Sequence, residues 1–153
     1  MALHELLDPK SIVTELQAKT KEGVIEELVD LLERAGRISD RDAVLDAVME
    51  RESQMSTGLE EGVAVPHAKS GAVSALTAAL GIKREGLDFD SADGKPTRIV
   101  FLLIAQLNNP GPHVRALAQL ARLLSDPAMR AALINAKTAE DIIRIIKQRE
   151  LAQ

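Results

Sequence analysis

The run RIVFLLIA, residues 98–105, decides the fold class of this chain. Every residue after Arg98 is apolar, and Ile99, Val100 and Ile104 are β-branched. A strand with this composition has no polar face, which is typical of a strand covered on both sides. The run therefore predicts a buried central strand in a sheet that lies between helices.

Two helices are predicted before this strand. Thr20 caps the first, at about 21–35, and Gly36 suits the left-handed residue after its end. Ser39 and Asp42 resemble a capping box for the second, at about 40–52. The apolar positions of the first helix are Val24, Ile25, Leu28, Leu31, Leu32 and Ala35, and those of the second are Ala43, Val44, Ala47 and Val48.

Three more helices are predicted after the central strand. Pro112 is the last residue of the break NNPGP (108–112) and opens a helix that ends near residue 125. Asp126 and Pro127 begin a short helix, and Thr138 caps the last one, which carries Ile142, Ile145 and Ile146. The apolar side of the helix after Pro112 is predicted to consist of Val114, Leu117, Leu120, Ala121 and Leu124.

Other strands are predicted at 11–17, 62–66 and 75–83, with a loop or hairpin at 85–97. No linker or repeat divides the 153 residues. The fold class is therefore α/β (α+β): a single domain with a mixed sheet sandwiched between helices.

The composition excludes several functions. The absence of Cys excludes disulfides, thiolate zinc sites and cysteine nucleophiles. Only two aromatic residues and a net charge of −4 argue against nucleic-acid binding. No apolar run approaches the ~20 residues that cross a bilayer, and the N-terminal residues do not resemble a signal peptide. We expect a cytoplasmic protein with no membrane insertion.

The segment GVAVPHAKS, residues 62–70, contains the strongest functional signal. Pro66 fixes its own φ and restricts Val65, so His67 follows a stiff turn. An imidazole held in one orientation is suited to nucleophilic attack on phosphorus, and much of it is neutral at cytoplasmic pH. The alternative, at about even odds, is a histidine that hydrogen-bonds the end of a strand.

His113 is the second candidate, because it lies in the first turn of the helix after Pro112. The positive end of the helix dipole opposes imidazolium formation and favours bound anions. A neutral His113 is able to donate a hydrogen bond to a phosphate on His67. The alternative is an exposed residue at a helix start. His4 is interpreted as a surface residue.

Arg51 ends the second helix, where a cation either complements the helix C-terminus or turns toward a phosphoryl group. Glu60 and Glu61 precede His67 and are either solvated or able to orient its ring. The segment DFDSADG lacks the ligands of a calcium loop, since its fifth and twelfth positions are Ala92 and Ile99. A metal site made from two histidines and a glutamate stays a minor alternative.

Three blocks of sequence resemble one known family: ERESQMSTGLEEGVAVPHAKS, GIKREGLDFDSADGKPTRIVFLLIA and HVRALAQLARLLSD. Together they are similar to the enzyme IIA domain of the phosphotransferase system, fructose–mannitol type, which includes nitrogen-regulatory members. The resemblance covers about residues 5–149 and leaves 150–153 as a C-terminal tail. Two segments depart from the common pattern: TGLEEG, with Glu61 where mannitol-type members also carry an acidic residue, and AQLNNPGPH before His113.

The resemblance implies a phosphohistidine carrier that needs no cofactor and no metal. His67 is expected to accept a phosphoryl group on Nε2 from the histidine-containing phosphocarrier protein and to pass it to a cysteine of an enzyme IIB. His113 and Arg51 are expected to stabilise the phosphate. Supporting contacts are expected from Glu61, Ala68 and Ser70.

Two other functions stay open. A regulatory module of the nitrogen-regulatory kind would bind a target protein according to its phosphorylation state, and a IIA without fused IIB or IIC segments favours that role. The other possibility is the fold alone, with structural histidines.

Overall fold

Residues 2–109 and 111–152 are described by a computed structural model. A mixed five-stranded sheet lies between two layers of helices, as the apolar run at 98–105 predicts. The strands are β1 (Ile12–Val13), β2 (Val63–Ala64), β3 (His67–Ser70), β4 (Thr77–Leu87) and β5 (Thr97–Gln106). The helices are α1 (Leu3–Leu6), α2 (Lys21–Arg34), α3 (Arg41–Gln54), α4 (Gly111–Leu123), α5 (Pro127–Asn135) and α6 (Ala139–Leu151), with a 3₁₀ turn at Pro9–Ser11.

The central strand is β5, which pairs with three other strands. It runs antiparallel to β4 and parallel to β2 and β3, while β1 pairs in parallel with the far edge of β4. Val63 lies opposite Ile99, and His67 lies opposite Leu103, so β2 and β3 keep one register along β5. They are two pieces of one edge strand, interrupted at Val65 and Pro66.

Alternate side chains of β5 enter two separate hydrophobic cores, because successive residues of a strand point to opposite faces. One core lies under α1, α4, α5 and α6, and the other lies under α2 and α3. The first core contains Ile99, Phe101 and Leu103, and the second contains Val100, Leu102 and Ile104. The absence of a polar face on this strand follows from that double burial.

The predicted helix boundaries are largely confirmed. Thr20 accepts a hydrogen bond from the backbone N of Gly23, and Gly36 has a φ of 74° after the end of α2. The capping box at Ser39 is wrong: Asp40 caps α3, and the Ser39 hydroxyl donates to the Ala72 carbonyl. Asp126 caps α5, and Thr138 caps α6. Ala43 is exposed rather than inward-facing, and Pro110 of the NNPGP break lies outside the described residues.

The predicted strands need more correction. Only Ile12–Val13 of the segment 11–17 is a strand, because Ser11 ends the 3₁₀ turn. Leu16 nevertheless donates its backbone N–H to the Ile82 carbonyl, and its side chain packs where Gly81 has no Cβ. Only Val63–Ala64 of the strand predicted at 62–66 is a strand, and a second short strand follows at His67–Ser70. Because β4 runs on to Leu87, the turn of the β4–β5 hairpin is limited to 88–96.

His4 is not a free surface residue. Its Nδ1 lies 2.8 Å from Oε1 of Glu150, and its side chain is only 20% exposed. The same carboxylate accepts the backbone N–H groups of Leu3 and His4, which joins α1 to α6.

Across residues 2–109 and 111–152, no helix has the length and apolar character that crossing a membrane requires.

Candidate functional site

His67 is the first residue of β3, directly after the break at Pro66 in the edge strand. Its partner across the ladder is Leu103, whose side chain enters the core under α4. The alternation of side chains along β3 therefore places His67 on the α4 side of the sheet. The expected stiff turn is the break that leads into β3, and the ring of His67 hydrogen-bonds the Val65 carbonyl within that break.

The ring of His67 is held by one hydrogen bond. Its Nδ1 lies 2.8 Å from the carbonyl oxygen of Val65. A carbonyl oxygen only accepts, so Nδ1 carries the proton and Nε2 of the neutral ring has the free lone pair. No residue in the described part of the chain hydrogen-bonds that Nε2. The geometry presents Nε2 as a nucleophile without the need to change tautomer.

His113 lies beside His67, in the first turn of α4. The two ring centroids are 5.0 Å apart, and the rings are inclined by 57°. His113 is only 6% exposed, so the alternative of an exposed helix-start residue is wrong. Its Nδ1 is buried and has no hydrogen-bond partner among the described residues.

Burial, together with the nearby His67 and Lys69, lowers the pKa of His113 to about 4, and burial is the largest of these causes. Burial acts this way because it disfavours the charged form of a base. His113 is therefore neutral at physiological pH, as its position at a helix start predicts. A neutral ring beside His67 is able to donate one N–H.

A cleft of about 740 Å³ opens in front of His67. Arg51 reaches it from the end of α3, where its Nη1 donates to the Met55 carbonyl at 3.1 Å. Most of the lining surface is apolar, and Met55 and Leu59 are exposed at its rim. The cleft is lined by Arg51, Met55, Ser56, Thr57, Leu59, Glu60, Glu61, Val63, Val65, His67, Ala92, Leu117, Leu120, Ala121, Leu124, Ser125 and Arg130.

Arg130 is a second arginine of the cleft, and sequence reasoning missed it. Its Nη1 donates to the Leu124 carbonyl at 2.8 Å, and its Nη2 lies 3.7 Å from Oε2 of Glu61. Glu61 also lies 3.6 Å from the Lys95 amine, so it pairs with two cations at the rim rather than with His67. Arg130 belongs to α5, more than sixty residues along the chain from His67, and no motif marks it.

Two of the expected supporting side chains point away from the cleft. Ala68 packs in the core under α2 and α3, and the Ser70 hydroxyl accepts the backbone N–H of Ala72. Both follow from the alternation of β3, which sends His67 and Lys69 to the α4 side. Within residues 2–109 and 111–152, no group of three or more acidic or histidine side chains is placed to hold a metal ion.

The predicted inner face of α4 is confirmed in part, because Leu120 and Leu124 are buried in the core and Leu117 packs against it. The buried side chains are His113, Ala116, Leu120 and Leu123, whereas Val114 is 63% exposed. The apolar row that the sequence favours includes Leu117, Ala121 and Leu124, and these residues line the cleft. Leu120 and Leu124 both line the cleft and belong to the core, so the apolar side of this helix is shared between the two.

Comparison with known proteins gives the family. Residues 5–149 match the family model described as "Phosphoenolpyruvate-dependent sugar phosphotransferase system, EIIA 2". A fructose-specific EIIA component from Haloferax volcanii is 40% identical over 129 residues, which are 84% of each chain. A fructose-specific EIIABC component from Bacillus subtilis is 39% identical over 98% of this chain. This chain spans only 24% of that longer relative.

A solved structure agrees with the family match. The nitrogen regulatory protein IIA-Ntr from Neisseria meningitidis superimposes with a TM-score of 0.86 at 34% identity. The match covers 94% of this chain and 98% of that one. The chain therefore belongs to the EIIA 2 family of the phosphoenolpyruvate-dependent sugar phosphotransferase system.

Proposed function

We propose that this protein is a phosphohistidine carrier in which Nε2 of His67 accepts a phosphoryl group from the histidine-containing phosphocarrier protein. The observation that carries the proposal is the hydrogen bond from Nδ1 of His67 to the Val65 carbonyl. It leaves the lone pair of Nε2 free beside an open cleft and a neutral second histidine. The family membership supports a phosphotransferase component.

The transfer step needs no proton to leave His67. The Nε2 lone pair forms the new N–P bond while the N–P bond of the donor breaks, and that electron pair returns to the donor's ring nitrogen. The His67 ring then carries a positive charge, because Nδ1 keeps its proton. The Val65 carbonyl stabilises that charge through the same hydrogen bond.

His113 and Arg51 act on the phosphoryl oxygens in this proposal. A neutral His113 donates an N–H, and the Arg51 guanidinium leaves its carbonyl partner to meet the negative charge. Phosphoryl transfer depends mainly on positioning and electrostatic stabilisation, so no metal or nucleotide is required when the donor is already a phosphohistidine.

The acceptor is proposed to be the cysteine of an enzyme IIB, or a regulated target that reads the phosphorylation state. The Bacillus subtilis relative is named for joined A, B and C components, which supports a IIB-type acceptor. The Neisseria meningitidis structure is named as a nitrogen regulatory protein, which supports the regulatory alternative. A partner of either kind is expected at the cleft, over Met55, Leu59, Val63 and Val65.

Phosphoryl acceptance is tested by intact mass after incubation with phosphoenolpyruvate, enzyme I and the phosphocarrier protein. The wild type should gain the mass of one phosphoryl group, and His67→Ala should gain none while it stays folded. His113→Ala should still be phosphorylated, but more slowly by a factor on the order of 10²–10³, the usual effect of removing one positioned donor. A His67→Ala protein that is labelled at the wild-type rate would show that another residue is the acceptor.

The regulatory alternative is tested by affinity. A phosphoryl group adds about −1.5 to −2 charge at neutral pH, so a target that reads the cleft should bind wild type and His67→Ala differently under phosphorylating conditions. Equal binding of both, with chemical-shift changes far from His67, would place the target on another surface.

A further inference from the structure

Glu52 is a buried carboxylate that the proposed transfer does not use. It lies in the last turn of α3 and is 7% exposed, and no other acidic residue among 2–109 and 111–152 is buried. Its Oε2 lies 2.8 Å from the Lys21 amine, which itself lies over the Phe89 ring. A buried charge is tolerated when it is both paired and hydrogen-bonded, and Glu52 meets both conditions.

The hydrogen bonds of Glu52 come from one residue of the segment that leads to β2. Thr57 donates its backbone N–H to Oε2 at 2.7 Å and its hydroxyl to Oε1. Charge-assisted bonds of this kind are about twice as strong as neutral ones. Thr57 is thus fixed at two points to the end of a helix.

Thr57 continues the chain of bonds toward the nucleophile. Its carbonyl accepts the backbone N–H of Val65 at 3.1 Å, and the Val65 carbonyl accepts Nδ1–H of His67 at 2.8 Å. An uninterrupted path therefore runs from Lys21 through Glu52, Thr57 and Val65 to His67. Each contact between two residues along this path is a hydrogen bond or an ion pair.

The segment between Thr57 and β2 contains no helix or strand, and only an isolated bridge joins Gly58 to Ala64. Glu61 has a φ of 61° and Gly62 a φ of 80°, and a Cβ on Gly58 would lie 2.7 Å from the Phe89 carbonyl oxygen. A residue other than glycine at positive φ is strained and persists only where the surroundings hold it. The bonds to Glu52 supply that restraint at the start of the segment.

We propose that Glu52 is a positioning residue for His67. Lys21 balances the charge of Glu52. Glu52 holds Thr57, and Thr57 holds the backbone of Val65, whose carbonyl keeps Nδ1 of His67 protonated and leaves Nε2 without a proton. The catalytic consequence rests on the proposed function of His67, whereas the ring state itself is measurable without any phosphoryl transfer.

The test is the tautomer of His67 in the unphosphorylated full-length protein, read from the ¹⁵N shifts of its ring nitrogens. Protonated and bare ring nitrogens have well-separated shifts, so the populations are measured directly. The wild type should show Nδ1–H alone. Glu52→Gln and Thr57→Val should both give a mixture of the two tautomers, because each removes part of the anchor of Val65.

Two matched variants separate positioning from packing. Thr57→Ser keeps the hydroxyl and should keep the wild-type ring spectrum. Thr77→Val removes a buried hydroxyl of the same type that has no partner among the described residues, and it should also leave the spectrum unchanged. If Thr57→Ser changes the ring as much as Thr57→Val does, packing rather than the hydroxyl is responsible and the proposal fails.

The rate of phosphoryl acceptance gives the second measurement. Residues that hydrogen-bond the far side of a metal-bound histidine typically contribute about 10- to 100-fold to activity. By analogy, we expect the rate of phosphoryl acceptance to fall about tenfold in Thr57→Val and to return to the wild-type rate in Thr57→Ser. If Glu52→Gln does not fold, Thr57→Val and Thr57→Ser decide the question. Folded variants with an unchanged His67 spectrum overturn the positioning role even if wild type is phosphorylated. A changed spectrum in a protein that never accepts phosphate supports the positioning role and refutes the proposed function.

Discussion

Mild acid should destabilise this fold through His113. The unfolded chain binds the imidazole proton with a pKa of about 6.5, whereas burial lowers the pKa in the folded protein to about 4. Between these two values the unfolded state carries more protons, so stability rises with pH and falls as the pH drops through 6.5. The free energy of unfolding should fall by about 2 kcal/mol from pH 7 to pH 5, and by about 3 kcal/mol in total near pH 4.

The measurement is urea unfolding of wild type and His113→Gln at several values between pH 7 and pH 5. Glutamine keeps a donor and an acceptor but does not titrate, so the variant should lose the His113 part of the pH dependence. Hydrogen bonds hold the pKa values of Asp93, Asp126 and Asp141 below their usual range. Their stabilisation is lost only as the pH falls below the unfolded carboxyl pKa of about 3.9, outside this window.

The control is Val114→Gln, which places the same side chain at the next, exposed position of α4. It should keep the wild-type dependence on pH. Equal slopes for wild type and His113→Gln between pH 7 and pH 5 would refute the reasoning, as would an NMR titration of His113 with a midpoint near the ordinary histidine value.

Two further predictions concern the fold and use the urea midpoint at pH 7. Gly81→Ala should destabilise the protein by about 1–3 kcal/mol, because its Cβ would lie 2.7–2.8 Å from the buried side chain of Leu16. The control Gly71→Ala, with Leu107 at 3.5 Å, should change the stability by less than about 1 kcal/mol. Equal effects of the two substitutions would contradict the packing argument. Thr138→Ala should cost about 1 kcal/mol, because the side chain accepts the backbone N–H of Asp141 at 3.0 Å, and an unchanged midpoint would show that the cap contributes nothing.

The central strand and most helices could be predicted because their signals are local. An apolar run with no polar face predicts double burial, and Thr20, Asp126 and Thr138 precede their helices as cap residues do. The edge strand was harder, because Pro66 divides it into two pieces of four residues or fewer. Pairing with β5 makes these pieces strands, and that pairing is not encoded in their own composition.

Helix α4 shows how a hydrophobic pattern can misplace the buried side of a helix. The predicted apolar side includes Leu117 and Ala121, which line the cleft, as well as Leu120 and Leu124, which line it and are also buried. The buried side includes His113 and Ala116, which a hydrophobicity pattern ranks lower. The place of His113 in the first turn of this helix was nevertheless predictable from Pro112.

Glu52 and Arg130 were beyond sequence reasoning for a different reason. Each is a charged residue in a helix, and such residues are usually solvated. Their partners, Lys21 and Glu61, lie about 31 and 69 positions away. Only the packing of α2 against α3, and of α5 toward the rim, brings these charges together.

The β4–β5 hairpin has a consequence for the order in which the molecule folds. It is the most local pairing in the sheet, whereas β1, β2 and β3 join it only through parallel contacts that close long loops. Long loops lose more entropy on closure, so we expect the hairpin to form first and the parallel strands to dock on it later. Arg51, His67 and His113 come from three separate elements, α3, β3 and α4, so we expect His67 to acquire these neighbours only in the last steps of folding. Pulse-labelled hydrogen exchange that finds β3 protected before β4 and β5 would contradict this order.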